Sequence, residues 1–130
     1  MRKQVSGYNG RMEFFLTDPD VERLPPADTR LLDLRAKPYP DGKRLRINLE
    51  LSPFQQKPYI ELTLTDSTGE VVATTTVVEP DAWRLDLTLH IRKPVPSTGA
   101  DYKLAVILSF PDLGEIDHRD LTIEIPSPTI

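Results

Sequence analysis

An all-β fold, a single antiparallel sandwich of about seven strands behind an N-terminal arm, follows from three properties of the chain. Apolar and polar residues alternate with period two in separate runs between positions 44 and 125. Turn residues separate those runs, and no long amphipathic helical period occurs. The alternation is clearest in Leu45-Arg46-Ile47-Asn48-Leu49-Glu50-Leu51 and in Trp83-Arg84-Leu85-Asp86-Leu87-Thr88-Leu89-His90-Ile91. At 130 residues the chain suits one domain with a core of its own.

Residues 1 to 28 have no sustained period and are expected to form an arm. They hold an apolar knot, Met12-Glu13-Phe14-Phe15-Leu16. Adjacent phenylalanines are costly in water, so the knot docks on the domain, adds an edge strand or meets a partner. The sandwich itself is expected over 29 to 126, with 127 to 130 as a tail. Its first strand runs from Arg30 to Lys37, with Leu32, Leu34 and Ala36 inward and Asp33 and Arg35 outward. Pro38 ends it, and Tyr39-Pro40-Asp41-Gly42 is a turn: proline presets φ, aspartate bonds its own backbone and glycine accepts positive φ. A second strand runs from Lys43 to Ser52. Beyond the loop Pro53 to Pro58, a third strand turns Ile60, Leu62 and Leu64 inward, and Asp66-Ser67-Thr68-Gly69 closes a hairpin.

The fourth run, Glu70 to Glu79, is apolar or β-branched on both faces, which places it near a sheet edge. Asp81 to Arg92 supplies a fifth strand with Trp83, Leu85, Leu87, Leu89 and Ile91 on the inner face. Tyr102 to Phe110 is apolar at every even position and partly at odd ones, the pattern of a central strand. Pro111-Asp112-Leu113-Gly114 turns the chain into a last strand with Leu121, Ile123 and Ile125 inward. Ile116 has the opposite parity, which predicts a bulge or a late strand start near His118 to Asp120.

Seven short strands without a helix resemble the immunoglobulin-like and fibronectin type III-like sandwiches over roughly residues 29 to 125. The most specific element is Thr98-Gly99-Ala100-Asp101-Tyr102-Lys103-Leu104-Ala105-Val106, which looks like the tyrosine corner of such folds. The resemblance implies that the Tyr102 hydroxyl bonds upstream backbone. It also implies a stable platform for binding loops, with no particular ligand. No cysteine pair is present, and Trp83 lies on the fifth run rather than the third, so an antibody-type domain is excluded.

Composition narrows the function. Sixteen basic and twenty acidic residues give a net charge of −4, which supplies no field for gathering phosphates, so nucleic acid is not an expected partner. The absence of cysteine excludes a disulfide framework, a thiolate zinc site and a cysteine nucleophile. No secretory signal, membrane-spanning stretch or lipidation motif is visible, so a soluble cytoplasmic protein is the expectation. The one tight titratable group is Glu115-Ile116-Asp117-His118-Arg119-Asp120. Its neighbours alternate faces on a strand, and the other histidine, His90, belongs to a different strand, so a metal or catalytic site is not expected. The carboxylate pairs Asp18/Asp20 and Asp112/Glu115 sit near proline-rich turns, and neither a serine elbow nor a phosphate loop occurs.

Two functional readings remain. The first is a non-catalytic module for protein–protein interaction or assembly, a homodimer included, with Phe14, Phe15, Val71 and Val77 as contact residues. The second is a carbohydrate or small-ligand module that uses loop aromatics and amides: Tyr39, Phe54, Gln55, Gln56 and Tyr59. Phe54, flanked by Gln55 and Gln56, is its expected anchor, and Trp83 is assigned to the core. No catalytic, cofactor-binding or metal-binding residue is predicted.

Overall fold

The computed structural model describes residues 21–127, and the arm residues Phe14 and Phe15 lie outside it. Seven strands follow one another in the chain: β1 (Leu31–Pro38), β2 (Arg44–Leu51), β3 (Tyr59–Thr65), β4 (Val71–Val78), β5 (Arg84–His90), β6 (Ala100–Phe110) and β7 (Gly114–Ile125). They form two antiparallel sheets, β1-β2-β5 and β4-β3-β6-β7. A β-sandwich results. The core lies between the layers, where Leu45, Ile47, Leu51, Ile60, Leu62, Leu64, Leu104, Val106, Leu108 and Ile125 are fully enclosed. Each of these belongs to the inward phase of its strand, so the period of two is what assembles the core.

The turns form by the chemistry expected of them. Gly42 takes φ 67 and Gly69 takes φ 92. Asp41 accepts a hydrogen bond from the Lys43 N–H at 2.9 Å, and Asp66 accepts one from the Thr68 N–H at 2.9 Å. β4 is an edge strand and β6 an interior one, as their patterns predict. Trp83 is buried, with its ring edge-on to Phe54 at 6.4 Å between centroids.

Three local expectations are corrected. Leu31, not Leu32, faces the core: a bulge between Leu31 and Asp33 leaves Leu32 half exposed. In β7 the phase change occurs at Ile116 rather than near His118 to Asp120, because Leu108 pairs with Asp117 while Ser109 pairs with Glu115. Tyr102 is buried at the start of β6, but among the described residues its hydroxyl makes no hydrogen bond to upstream backbone. Burial raises its pKa, and the nearby Asp66 charge raises it further.

Antiparallel order fixes what each end of the sandwich carries. One end gathers the segment before β1, the β2–β3 and β4–β5 loops and the β6–β7 turn. The other gathers the β1–β2 and β3–β4 turns and the β5–β6 loop. The segment before β1 is tied to the first end: the Leu24 N–H donates to the Pro53 carbonyl, and the Gln55 N–H donates to the Leu24 carbonyl, both at 2.9 Å.

Candidate functional site

The two long sides of the sandwich differ. On one side β1 meets β7, and the two bulges lie together there. Asp117 accepts a hydrogen bond from the Leu31 N–H at 3.0 Å, while the Arg119 guanidinium donates to the Leu31 and Leu32 carbonyls at 3.1 Å each. The sequence 115–120 therefore builds a seam. A strand edge that would otherwise show bare donors and acceptors is satisfied by side chains from the opposite sheet. His118 points to the other face of β7 and pairs with Glu115 at 3.0 Å. Among the described residues no group of three or more potential ligands could hold a metal ion.

On the other side β4 faces β5, and among the described residues no strand bridges the two along this flank. The Arg92 N–H and guanidinium reach the Val72 and Val71 carbonyls, at 2.9 and 3.0 Å, and tie its lower end. Above that tie, Thr75 and Val77 of β4 and Leu85 and Leu87 of β5 are only half buried, whereas their partners Ile60, Ile47 and Leu49 are buried. Val71 is 42% and Val78 55% exposed along the same edge. β4 carries no charge and no proline, the residues that usually guard an edge. Of the expected contact residues, Val71 and Val77 thus lie toward opposite ends of one edge strand.

The nominated aromatics do not converge. Phe54 is 2% exposed, held by Trp83 and the Leu24 pairing, so it is a core residue rather than a displayed anchor. Gln55 and Gln56 are exposed, and the Gln55 amide donates to the Arg23 carbonyl at 3.0 Å. Tyr59 stands half buried at the same end, but Tyr39 is at the other, with the Arg44 guanidinium 4.2 Å above its ring. Nothing in the loop pattern revealed the burial of Phe54. Its cause is the segment at Leu24, thirty residues upstream by number.

The outer sheet faces also differ. On β1-β2-β5 a shallow depression of about 320 Å³ is lined by Asp33, Arg35, Asn48, Glu50, Arg84 and Asp86. Charged groups pair across it, with Arg46 on Asp86 at 2.6 Å and Arg35 on Asp33 at 2.9 Å. The Arg46 hydrogen bond holds the Asp86 carboxyl below its ordinary pKa. The outer face of β4-β3-β6-β7 instead has an uncharged row, Thr74, Thr63 and Ala105, set side by side by the register, with Ile107 beside Glu61 in the next row. The lower end is pinned by Asp66, whose pKa falls to about 2 because it accepts from the Thr68 hydroxyl, the Glu70 and Thr68 N–H groups and Lys93.

Solved structures share this architecture. A glycosyl hydrolase family 2 member from Bacteroides cellulosilyticus matches with TM-score 0.56 at 15% identity, over 75% of this chain and 14% of its own. The β-glucuronidase of Bifidobacterium dentium, complexed with coumarin-3-O-glucuronide, matches with TM-score 0.59 at 18% identity, over 77% of this chain and 18% of its own. That of Ruminococcus gnavus, in complex with D-glucaro-d-lactam, gives TM-score 0.51 at 19% identity, covering 75% and 16%. The likeness is one of fold. This chain spans less than a fifth of each of those chains. No protein-family model and no curated protein matches the sequence. No helix among the described residues is long and apolar enough to cross a membrane.

Proposed function

We propose that this chain is a non-catalytic sandwich of the immunoglobulin-like or fibronectin type III-like kind that works by associating with another polypeptide through the β4/β5 flank. The observation that carries this reading is the contrast between the two sides. One is sealed by Asp117 and Arg119; the other presents an uncharged edge strand beside half-buried leucines. Such an edge accepts a strand from a partner, with backbone hydrogen bonds for affinity and apolar pockets for specificity. The structural neighbours support an accessory role, since the part of them that this fold matches is a small fraction of a long glycoside hydrolase chain.

Affinity capture from native lysate tests the reading, comparing the full chain with a Val71→Lys/Val78→Lys variant. A stoichiometric partner lost from the variant is the expected result. The same partner held equally by both chains, or no partner at all, counts against it.

A second reading, ligand binding, rests on the depression with its alternating Arg, Asp, Glu and Asn donors and acceptors. Two of the neighbours hold glucuronide-related ligands, so glucuronic acid is the first probe. Saturable amide shifts at Asn48 and Asp86 during NMR titration support this reading, and an unchanged spectrum at millimolar sugar removes it.

A further inference from the structure

We infer that the partner of the β4/β5 flank is a basic strand: a short segment of another polypeptide that adds antiparallel to β4 and sets an arginine or lysine opposite Thr76. The inference rests on the reading of this flank as a strand-accepting surface, and it names the chemistry that the surface selects.

The register of β4 decides which backbone groups a partner can use. The Glu79 N–H donates to the Pro58 carbonyl. That bond, with the pairings Ile60↔Val77 and Leu62↔Thr75, makes Thr75, Val77 and Glu79 the residues bonded to β3. The N–H and C=O groups of Thr74, Thr76 and Val78 therefore point away from β3. Below them Arg92 takes the Val72 and Val71 carbonyls, so the usable edge runs from Thr74 to Val78. Side chains alternate along it. Thr75 and Val77 are half buried on the inner side, as are Leu85 and Leu87 of β5, while Thr74, Thr76 and Val78 are exposed on the outer side.

Charge selects the occupant. Across the sheet the row of Val78 continues as Tyr59, Ser109 and Glu115, and the row of Thr76 as Glu61, Ile107 and His118. Neither row holds a lysine or an arginine. His118 pairs with Glu115 at 3.0 Å, whereas the exposed Glu61 makes no ion pair among the described residues. At the head of the strand Glu79 and Asp81 share one cation, since Lys57 bonds Asp81 at 2.7 Å and the Glu79 charge also acts on it. An edge with no charge of its own is thus bordered by excess negative charge.

A strand added to β4 lies two spacings, about 10 Å, from β3. An arginine opposite Thr76 crosses that gap over a short side chain and meets the Glu61 carboxylate. The same register sets apolar residues opposite Thr75 and Val77 on the inner side, and another opposite Val78 in the row of Tyr59. An acidic residue in the central place would instead meet Glu61 as a like charge. A second copy of this chain fits poorly, because its β4 offers Thr76 there and brings a further Glu61 and Glu79 rather than a cation.

Peptide titration of the full chain, followed through its amides by NMR at low ionic strength, tests this. The probe is Ser-Ile-Val-Arg-Val-Thr-Ser with blocked termini, and its control carries glutamate in place of arginine. Saturable shifts at the Thr74, Thr76 and Val78 amides are expected, with the arginine peptide bound at least about tenfold more tightly than the control. Glu61→Gln, an exposed substitution, should narrow that gap to about threefold or less. Equal binding of the two peptides, an unchanged gap in the variant, or no saturable shift overturns the inference. Shifts confined to Asp86, Thr88 and His90 overturn it in favour of β5 as the receiving edge. A dimer in sedimentation equilibrium that Val78→Lys dissolves overturns it in favour of a second copy. A partner captured from lysate and lost from the Val71→Lys/Val78→Lys chain, with both peptides silent, upholds the functional reading alone, so the two fail separately.

Discussion

At the residue scale the most consequential groups are those whose polar atoms are spent on backbone. Asp117 and Arg119 both act on Leu31, one accepting from its N–H and the other donating to its carbonyl. Removing either leaves an edge donor or acceptor without a partner, so Asp117→Ala and Arg119→Ala should each cost about 1–3 kcal/mol in urea unfolding. Because they share a target, the double variant should lose less than the sum of the two. Gly99 gives a second case. It holds φ +76, and a Cβ there would lie 3.1 Å from the Ile125 carbonyl oxygen and 3.2 Å from the Pro126 Cα, both backbone atoms unable to swing aside. Gly99→Ala should therefore cost about 1–3 kcal/mol. Gly114→Ala, with the same φ but open space, should cost less in the same assay. Single residues were the least legible part of the sequence. Phe54 reads as a displayed loop aromatic because its neighbours Pro53, Gln55 and Gln56 are those of a surface turn. Its burial comes from Leu24, a contact that no local window contains.

At the element scale all seven strands were legible, because each core-facing strand carries its own period of two and each short turn its own Gly, Asp or Pro. The bulges were harder to place. Leu31, Leu32 and Leu34 offer apolar residues on both parities, and so do Ile116 and Leu121. Alternation shows in such cases that a phase changes but not where. The place is set by the partner strand, Leu51 for β1 and Leu108 with Ser109 for β7. The ambiguity of β4 had a different origin: an edge strand with one uncovered side has no reason to make that side charged unless it must avoid partners. That argument yields a prediction for the element. Val71→Lys and Val78→Lys replace side chains already 42% and 55% exposed. They should change stability by no more than about 0.5 kcal/mol by thermal unfolding. Their effect should instead appear in association, as the loss of captured partner described above.

At the scale of the whole molecule, strand order and the identity of the sealed side were not legible, since both depend on contacts between strands far apart in sequence. Charge, however, predicts a property of the entire fold. Among the described residues four carboxylates have lowered pKa values. Asp41 is held mainly by the Lys43 N–H, Asp66 mainly by the Thr68 hydroxyl, Asp81 mainly by Lys57 and Asp86 mainly by Arg46. Each is lower when folded than the ordinary 3.8, so the unfolded chain takes up protons first as the solution is acidified. The stability they contribute is complete above that ordinary value and is lost as pH falls through the folded one, which for Asp66 is about 2. Lys57 and Lys93 shift the opposite way, raised above 10.5 chiefly by hydrogen bonds to Asp81 and Glu70, so their contribution is complete at neutral pH and lost only in strong base. Tm should therefore show no slope from these groups near neutrality and should fall steadily between about pH 4 and pH 2. Asp66→Asn isolates the largest component. It keeps an acceptor for the Thr68 hydroxyl but removes the charge, so the variant should start from a lower Tm at pH 7 and fall less steeply in acid, the two curves converging near pH 2. Parallel curves would show that Asp66 does not set the acid limit, and that the pairs on the outer face, Arg46 with Asp86 above all, carry it instead.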